Sequence, residues 1–189
     1  MEQWRELWQE ERALRAEHGF VGHRAFLETL AEPKLTWLYS HPDPAGGERA
    51  LADDPRWVDL GRRMAGHRFG NLLVRPVEVE VLTRADAASV AGRIAILRRY
   101  AIVGDWDGFL DVWRRIVPVR ERYGFRCLVA VADRPRDMFT WAFDFAGSWD
   151  EFPAAQRGYY RDPARVELRG VFDYMADYTI APAEQLLLA

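Results

Sequence analysis

Cysteine, lysine and histidine are all scarce in this chain, and each scarcity excludes something. Cys127 is the only cysteine, so neither an internal disulfide nor a cysteine-based zinc site can form. It lies in an apolar run, 127–131, where a thiol behaves as a small buried hydrophobe rather than a nucleophile. Lys34 is the only lysine among 26 basic residues, an arginine bias that reads as the codon usage of a GC-rich bacterial genome. No stretch resembles a signal peptide or a membrane-spanning helix, so a cytoplasmic location without a membrane partner is expected. A net charge of -3 and a pI near 5.9 leave no general basic footprint for nucleic acid. The histidines are four, His18, His23, His41 and His67, with no H-x-H or H-E-x-x-H spacing, so a metal site would have to assemble across strands. Phosphate-cradling glycine loop, dinucleotide fingerprint and Ser-His-Asp signature are missing too, and the expectation is no metal and no cofactor.

What the chain does have is a repeat. Trp8 followed by Gly19-Phe20 recurs as Trp113 with Gly124-Phe125, a shift of 105 residues, and Thr36-Trp37 recurs as Thr140-Trp141 after 104. Asp54-Pro55 matches Asp162-Pro163 at a shift of 108, and Pro76 matches Pro182 at 106. Small changes in shift are what loop insertions produce, and a period near 105 suits a duplicated domain rather than a solenoid unit. The expected organisation is a first copy over residues 1–83, a linker at 84–92 and a second copy over 93–189. With 49% hydrophobic and 29% charged residues, 189 residues can build two small cores or one shared core.

In the second copy the patterns predict a strand at 93–102, a helix at 106–122 closed by Gly124, and a strand hairpin at 125–132 and 138–145 turning through 133–137. A helix near 149–160, a short turn at Asp162-Pro163 and a last strand at 172–180 closed by Pro182 complete a β-α-β-β-α-β order, the ferredoxin-like unit. Pro118 inside the helical pattern predicts a kink or slack turn. The first copy repeats the plan with a helix near 3–17, strands near 20–30 and 35–41, a helix near 47–53 and a strand near 67–75. Its opening strand is missing, because Met1 aligns with Trp106. Either the true start lies upstream or another segment fills the slot, with residues 77–82, which alternate cleanly, and residues 184–188 both open as that segment.

The second copy resembles the NIPSNAP family of the dimeric α/β barrel superfamily. The resemblance rests on Leu97-Arg-Arg-Tyr100, Gly104 and residues 106–110, the run 113–125, Thr140-Trp141, the turn at 159–163 and the strand up to Pro182. It covers residues 93–182 and, more faintly, 4–82, where Leu51-Ala52 replaces the tyrosine pair. It implies an α+β fold of two tandem ferredoxin-like units that form a dimeric-α/β-barrel-type pseudo-dimer, the first lacking its opening strand. Relatives in that superfamily include cofactor-free monooxygenases, polyketide cyclases, lactone isomerases and haem enzymes, so fold does not dictate function.

For a site, the histidine asymmetry points to the first copy. On its second strand Trp37, Tyr39 and His41 share a face whose counterpart is Trp141, Phe143 and Phe145, so a phenol and an imidazole are added to an apolar surface. His41, with Tyr39 and His23, is the expected catalytic set. Trp37, Glu28, Arg98 and Tyr100 are expected to bind substrate, the last two either as an anion clamp or paired instead with a carboxylate of a neighbouring strand. Buried, Glu28 or Asp144 would have the raised pKa of a base; at a strand edge each would be solvated. His18, before Gly19, reads as a helix cap. The expected function is cofactor-independent proton transfer, as isomerase, cyclase, lyase or monooxygenase, on a small aromatic or polyketide-like molecule of secondary metabolism. The alternative is a non-catalytic NIPSNAP-like module that binds a ligand or a protein. Haem binding is a third reading, and a homodimer is an open one.

Overall fold

Asp43, Asp54, Asp105 and Asp162 cap the starts of helices, three of them followed at once by proline, and glycines at positive φ mark where several elements end. The computed structural model describes residues 2–30, 33–67, 73–84 and 86–188. In chain order they form α1 (Glu2–Glu17), β1 (Val21–Glu28), β2 (Lys34–Ser40), α2 (Pro44–Ala52), α3 (Pro55–Ala65), β3 (Glu78–Leu82), α4 (Ala87–Val90), β4 (Arg93–Ile102), α5 (Trp106–Glu121), β5 (Arg126–Asp133), β6 (Met138–Ala146), α6 (Phe152–Arg161), α7 (Pro163–Glu167) and β7 (Met175–Leu186). Two compact units result, one of residues 1–23 and 37–74 and one of residues 24–36 and 75–189.

The first unit is built around α1, α2 and α3. Leu7 packs with Leu60 and Met64, and Leu14 with Phe20 and Leu51, so α1 buries one stripe along its length. Gly19, at φ +85, supplies the left-handed exit from α1 that a residue with a Cβ would resist. Helix α3 was not anticipated. Asp54 caps it by accepting from the Arg56 amide at 2.8 Å and Pro55 opens it, so the pair expected to make only a turn is a helix start. Asp162-Pro163 starts α7 in the same way. The strand expected at 67–75 lies partly outside the described residues, and residues 73–77 carry no regular structure.

The second unit holds β3 to β7 and most of β1, in a sheet of strand order β2-β1-β7-β4-β6-β5-β3. Every described pairing is antiparallel. Strand β4, at the bounds the alternation predicts, pairs with β6 from Arg93↔Ala146 to Ala101↔Met138 and with β7 on its other side. Asp133 and the left-handed Asp137, φ 50, close the β5–β6 hairpin through one 3-10 turn. Helix α5 runs through Pro118 to Glu121 without interruption. The last strand does not stop at Pro182 as expected but runs from Met175 to Leu186. Pro182 sits where β7, paired so far with β4, also gains β1 as a partner from Ala183 onward, a position where a missing N–H costs the ladder little. Residues 184–186 thus pair with β1, and 78–82 with β5, which is what becomes of the two segments left open. Phe109, Trp113 and Ile116 of α5 pack with Phe139, Trp141 and Phe143 of β6 to form the main core.

Candidate active site

The expected catalytic residues fall in the first unit, where main chain and neighbours already hold them. His41 has both ring nitrogens engaged: Nε2 meets the His18 carbonyl at 3.0 Å, and Nδ1 accepts from the Asp43 amide at 3.0 Å. Those partners require the neutral tautomer protonated at Nε2. A Cβ on Gly47 would stand 2.9 Å from the imidazole, so the ring fills the notch that this glycine leaves. His41 is a pin between the end of α1 and the start of α2. Tyr39 donates to Glu48 at 3.3 Å, and burial, ahead of the nearby charges, raises its phenol pKa. His23 pairs with Ser40 Oγ at 2.8 Å, and His18 with Asp54 at 3.1 Å, across from the cap of α3. Trp37 stacks edge-on against Trp8 and Tyr39.

Beneath these aromatics lies an arginine that the sequence did not single out. Arg15, 2% exposed, is surrounded by the rings of Phe20, Trp37, Tyr39 and Trp57 at 4.8–5.8 Å, and Glu48 neutralises it at 2.8 Å with Glu11 at 3.6 Å.

In the second unit Glu28 is held in an ion pair. Arg99 grips it with both terminal nitrogens, at 3.0 and 2.5 Å, and also donates to Thr36 at 2.9 Å. Asp144 is fully buried, not solvated. Burial alone would raise its pKa, but Arg126 and Arg93, donating at 2.5–2.9 Å, outweigh this and hold it below the usual carboxylate range. Cys127 is 6% exposed, and burial pushes its thiol up to about 12, in keeping with an inert core residue.

Arg98 and Tyr100 lead elsewhere. They line a pocket between the sheet and the 163–178 segment, about 370 Å³ counting its open mouth, with room for about one water in its enclosed part. Trp113 and Trp141 form its aromatic walls, Tyr159, Tyr160 and Arg165 bring phenols and a second guanidinium, and the half-exposed Phe172 and Tyr178 stand among its lining residues. No Asp, Glu or His is among the lining residues described. Arg98 is 6% exposed, reaches the Tyr160 hydroxyl at 3.4 Å, and leaves its Nε without a partner. Arg165 donates to the Tyr159 hydroxyl at 2.7 Å. Burial alone would raise the Tyr160 phenol, yet Arg98, Arg120 and Arg165 together bring it below the usual phenol value. Burial dominates at Tyr100 and keeps that phenol neutral.

The fold is shared with proteins of known structure. Three of them match this chain almost end to end: a provisionally named monooxygenase from Fusobacterium nucleatum (13% identity, TM-score 0.57, 95% of this chain and 86% of that one), another from Lactobacillus acidophilus (12%, 0.60, 97% and 86%), and an anthrone oxidase-like protein (12%, 0.64, 98% and 86%). At such identities the likeness is one of fold. No family model and no curated protein matches the sequence. The antiparallel seven-stranded sheet with its helices is compatible with an α/β-barrel type of fold.

Of the expected residues, then, Arg98 and Tyr100 come together, Trp37, Tyr39 and His41 come together in the first unit, and Glu28 is tied to Arg99. Sequence reasoning missed Tyr159, Tyr160, Arg165 and Arg120. The available signal was the repeat itself: Tyr159-Tyr160 stands where the first copy has Leu51-Ala52, at the same shift of 108 as the Asp-Pro pairs.

Proposed function

We propose that the chain is a small-molecule enzyme of the dimeric α/β barrel type, built from two NIPSNAP-like ferredoxin-like copies over residues 1–83 and 93–189, the first without its opening strand. The duplication is supported by the strand order β7-β4-β6-β5, fourth-first-third-second in the second copy, and by a reciprocal exchange. The end of β7 pairs with β1, and β3 pairs with β5.

The reaction is proton transfer without a nucleotide cofactor on an aromatic or polyketide-like substrate, held by the oxygen that gains the phenolate or enolate charge as the proton leaves. The observation that carries this reading is the pocket lining: Arg98 and Arg165 beside three phenols and two indoles, with no carboxylate. A flat conjugated ring suits the indole walls, and its oxyanion suits the free Nε–H of Arg98, buried where a charge interaction is least screened. Tyr160 is the proton acceptor, since its neighbouring guanidiniums favour the phenolate. The resulting carbanion is the common precursor of isomerisation, cyclisation and elimination, and of monooxygenation when dioxygen is the co-substrate.

A second reading, a NIPSNAP-like module that binds such a molecule without turnover, is favoured by the absence of histidine and carboxylate from the described lining. One comparison decides between sites and readings. Across a panel of enolisable and phenolic aromatics, Arg98→Met and Tyr160→Phe are expected to lower turnover at least tenfold, whereas His41→Ala leaves kcat unchanged in the folded fraction. Loss of turnover in His41→Ala with Arg98→Met unaffected would move the site to the first unit. Binding that depends on Arg98 without product formation would select the module.

A further inference from the structure

Arg120, near the end of α5, is 1% exposed, and none of its three guanidinium nitrogens has a hydrogen-bond partner. Its guanidinium carbon lies 4.1 Å from the ring centre of Tyr159, 4.2 Å from Phe143, 5.1 Å from Phe125 and 5.6 Å from Trp141. Burial lowers the pKa of Arg120, but an arginine starts so far above neutrality that the cation persists. Its counterpart in the first copy, 105 residues earlier, is Arg15, which sits in the same kind of aromatic box but is neutralised by Glu48. At the shift of 108 that aligns Leu51-Ala52 with Tyr159-Tyr160, Glu48 becomes Gln156. The carboxylate has been exchanged for a neutral amide, whose own Oε1 is buried and unpartnered.

We propose that Arg120 is a positioning residue whose counter-charge is supplied by the bound anion rather than by the protein, and that Gln156 is what keeps it available. This rests on the pocket reading above. Tyr159 and Trp141 each touch Arg120 on one side and line the pocket, so the cation stands one ring behind the ligand. At that separation, about 8 Å, and an effective dielectric near 20, a buried charge is worth on the order of tenfold or more in anion affinity. The first copy, with its charge balanced internally, has no such demand.

The test uses the full chain and the probe 1-naphthoate against its neutral analogue 1-naphthamide, followed by quenching of tryptophan fluorescence. Alongside it, the Tyr160 phenol is titrated by difference absorbance with Tyr160→Phe as the blank. Gln156→Glu is expected to weaken naphthoate about tenfold, leave naphthamide unchanged, and move the Tyr160 titration to higher pH. Arg120→Met is expected to do the same and Arg120→Lys to restore most of the effect, while Glu48→Gln changes neither readout. If naphthoate preference is lost in Arg98→Met but intact in both Gln156→Glu and Arg120→Met, with the Tyr160 titration unmoved, this proposal is overturned and the pocket reading survives. If the wild type has no preference for naphthoate and Arg98→Met changes nothing, the pocket reading falls and the ligand role of Arg120 falls with it.

Discussion

Arg15 and Arg120 occupy matching places in their aromatic boxes, and what separates them is the two carboxylates, Glu48 and Glu11, that stand beside the first. Removing Arg15 takes the shared cation from Glu48 and the buried Glu11, whereas removing Arg120 leaves no such carboxylate behind. Arg15→Met is therefore expected to cost about 2–4 kcal/mol in urea unfolding, and Arg120→Met to stay within about 1 kcal/mol of the wild type, lost cation–π attraction offsetting relieved desolvation. Equal losses in both variants would contradict this account. Arg120 shares the helical spacing of Phe109, Trp113 and Ile116, so its place on the apolar face was legible in the sequence, whereas Arg15 was not singled out and the rings that enclose either guanidinium come from other segments. His41 illustrates the converse. Its aromatic neighbours were readable from strand alternation, but the His18 carbonyl and the Asp43 amide that occupy its nitrogens come from a helix end and a turn that periodicity does not locate. His41→Ala should cost about 1–2 kcal/mol through those two bonds.

At the level of elements, β7 has two successive partners. Up to Ala183 it pairs with β4, and from Ala183 with β1, so Ala183 is flanked on both sides while Pro182 is not. Shifting the proline by one position tests this: Ala183→Pro should remove about 3 kcal/mol or more by breaking a ladder bond in a buried strand, read from the urea midpoint. An unchanged midpoint would mean that the β1–β7 pairing carries no stability. The alternation at 93–102 and the glycine exit after α5 were readable because both are local signals. Helix α3 was not, since Asp-Pro serves turns and helix starts equally well and only the packing of Leu60 and Met64 on Leu7 selects the helix.

For the whole molecule, acid stability should track Asp144. Its pKa is lower folded than unfolded, so the stability it contributes is complete above the ordinary carboxylate value, about 4, and is lost as pH falls through the lower folded value. Asp144→Asn, which strands Arg93 and Arg126 opposite an amide, should cost about 3–5 kcal/mol at neutral pH and flatten the acid limb of a stability–pH profile. A variant that keeps the wild-type acid limb would show that other carboxylates govern it. The places of β4, α5, β5, β6 and α6, the internal sequence similarity and the exclusion of an internal disulfide followed from the sequence by itself, because they depend on local periodicity and on counting residues. That Arg98 and Tyr100 line a charged aromatic pocket was decided only by tertiary structure. Whether an arginine or a phenol is a surface group or a site depends on what surrounds it, and its surroundings come from segments as far apart as Arg98, Trp141 and Tyr178.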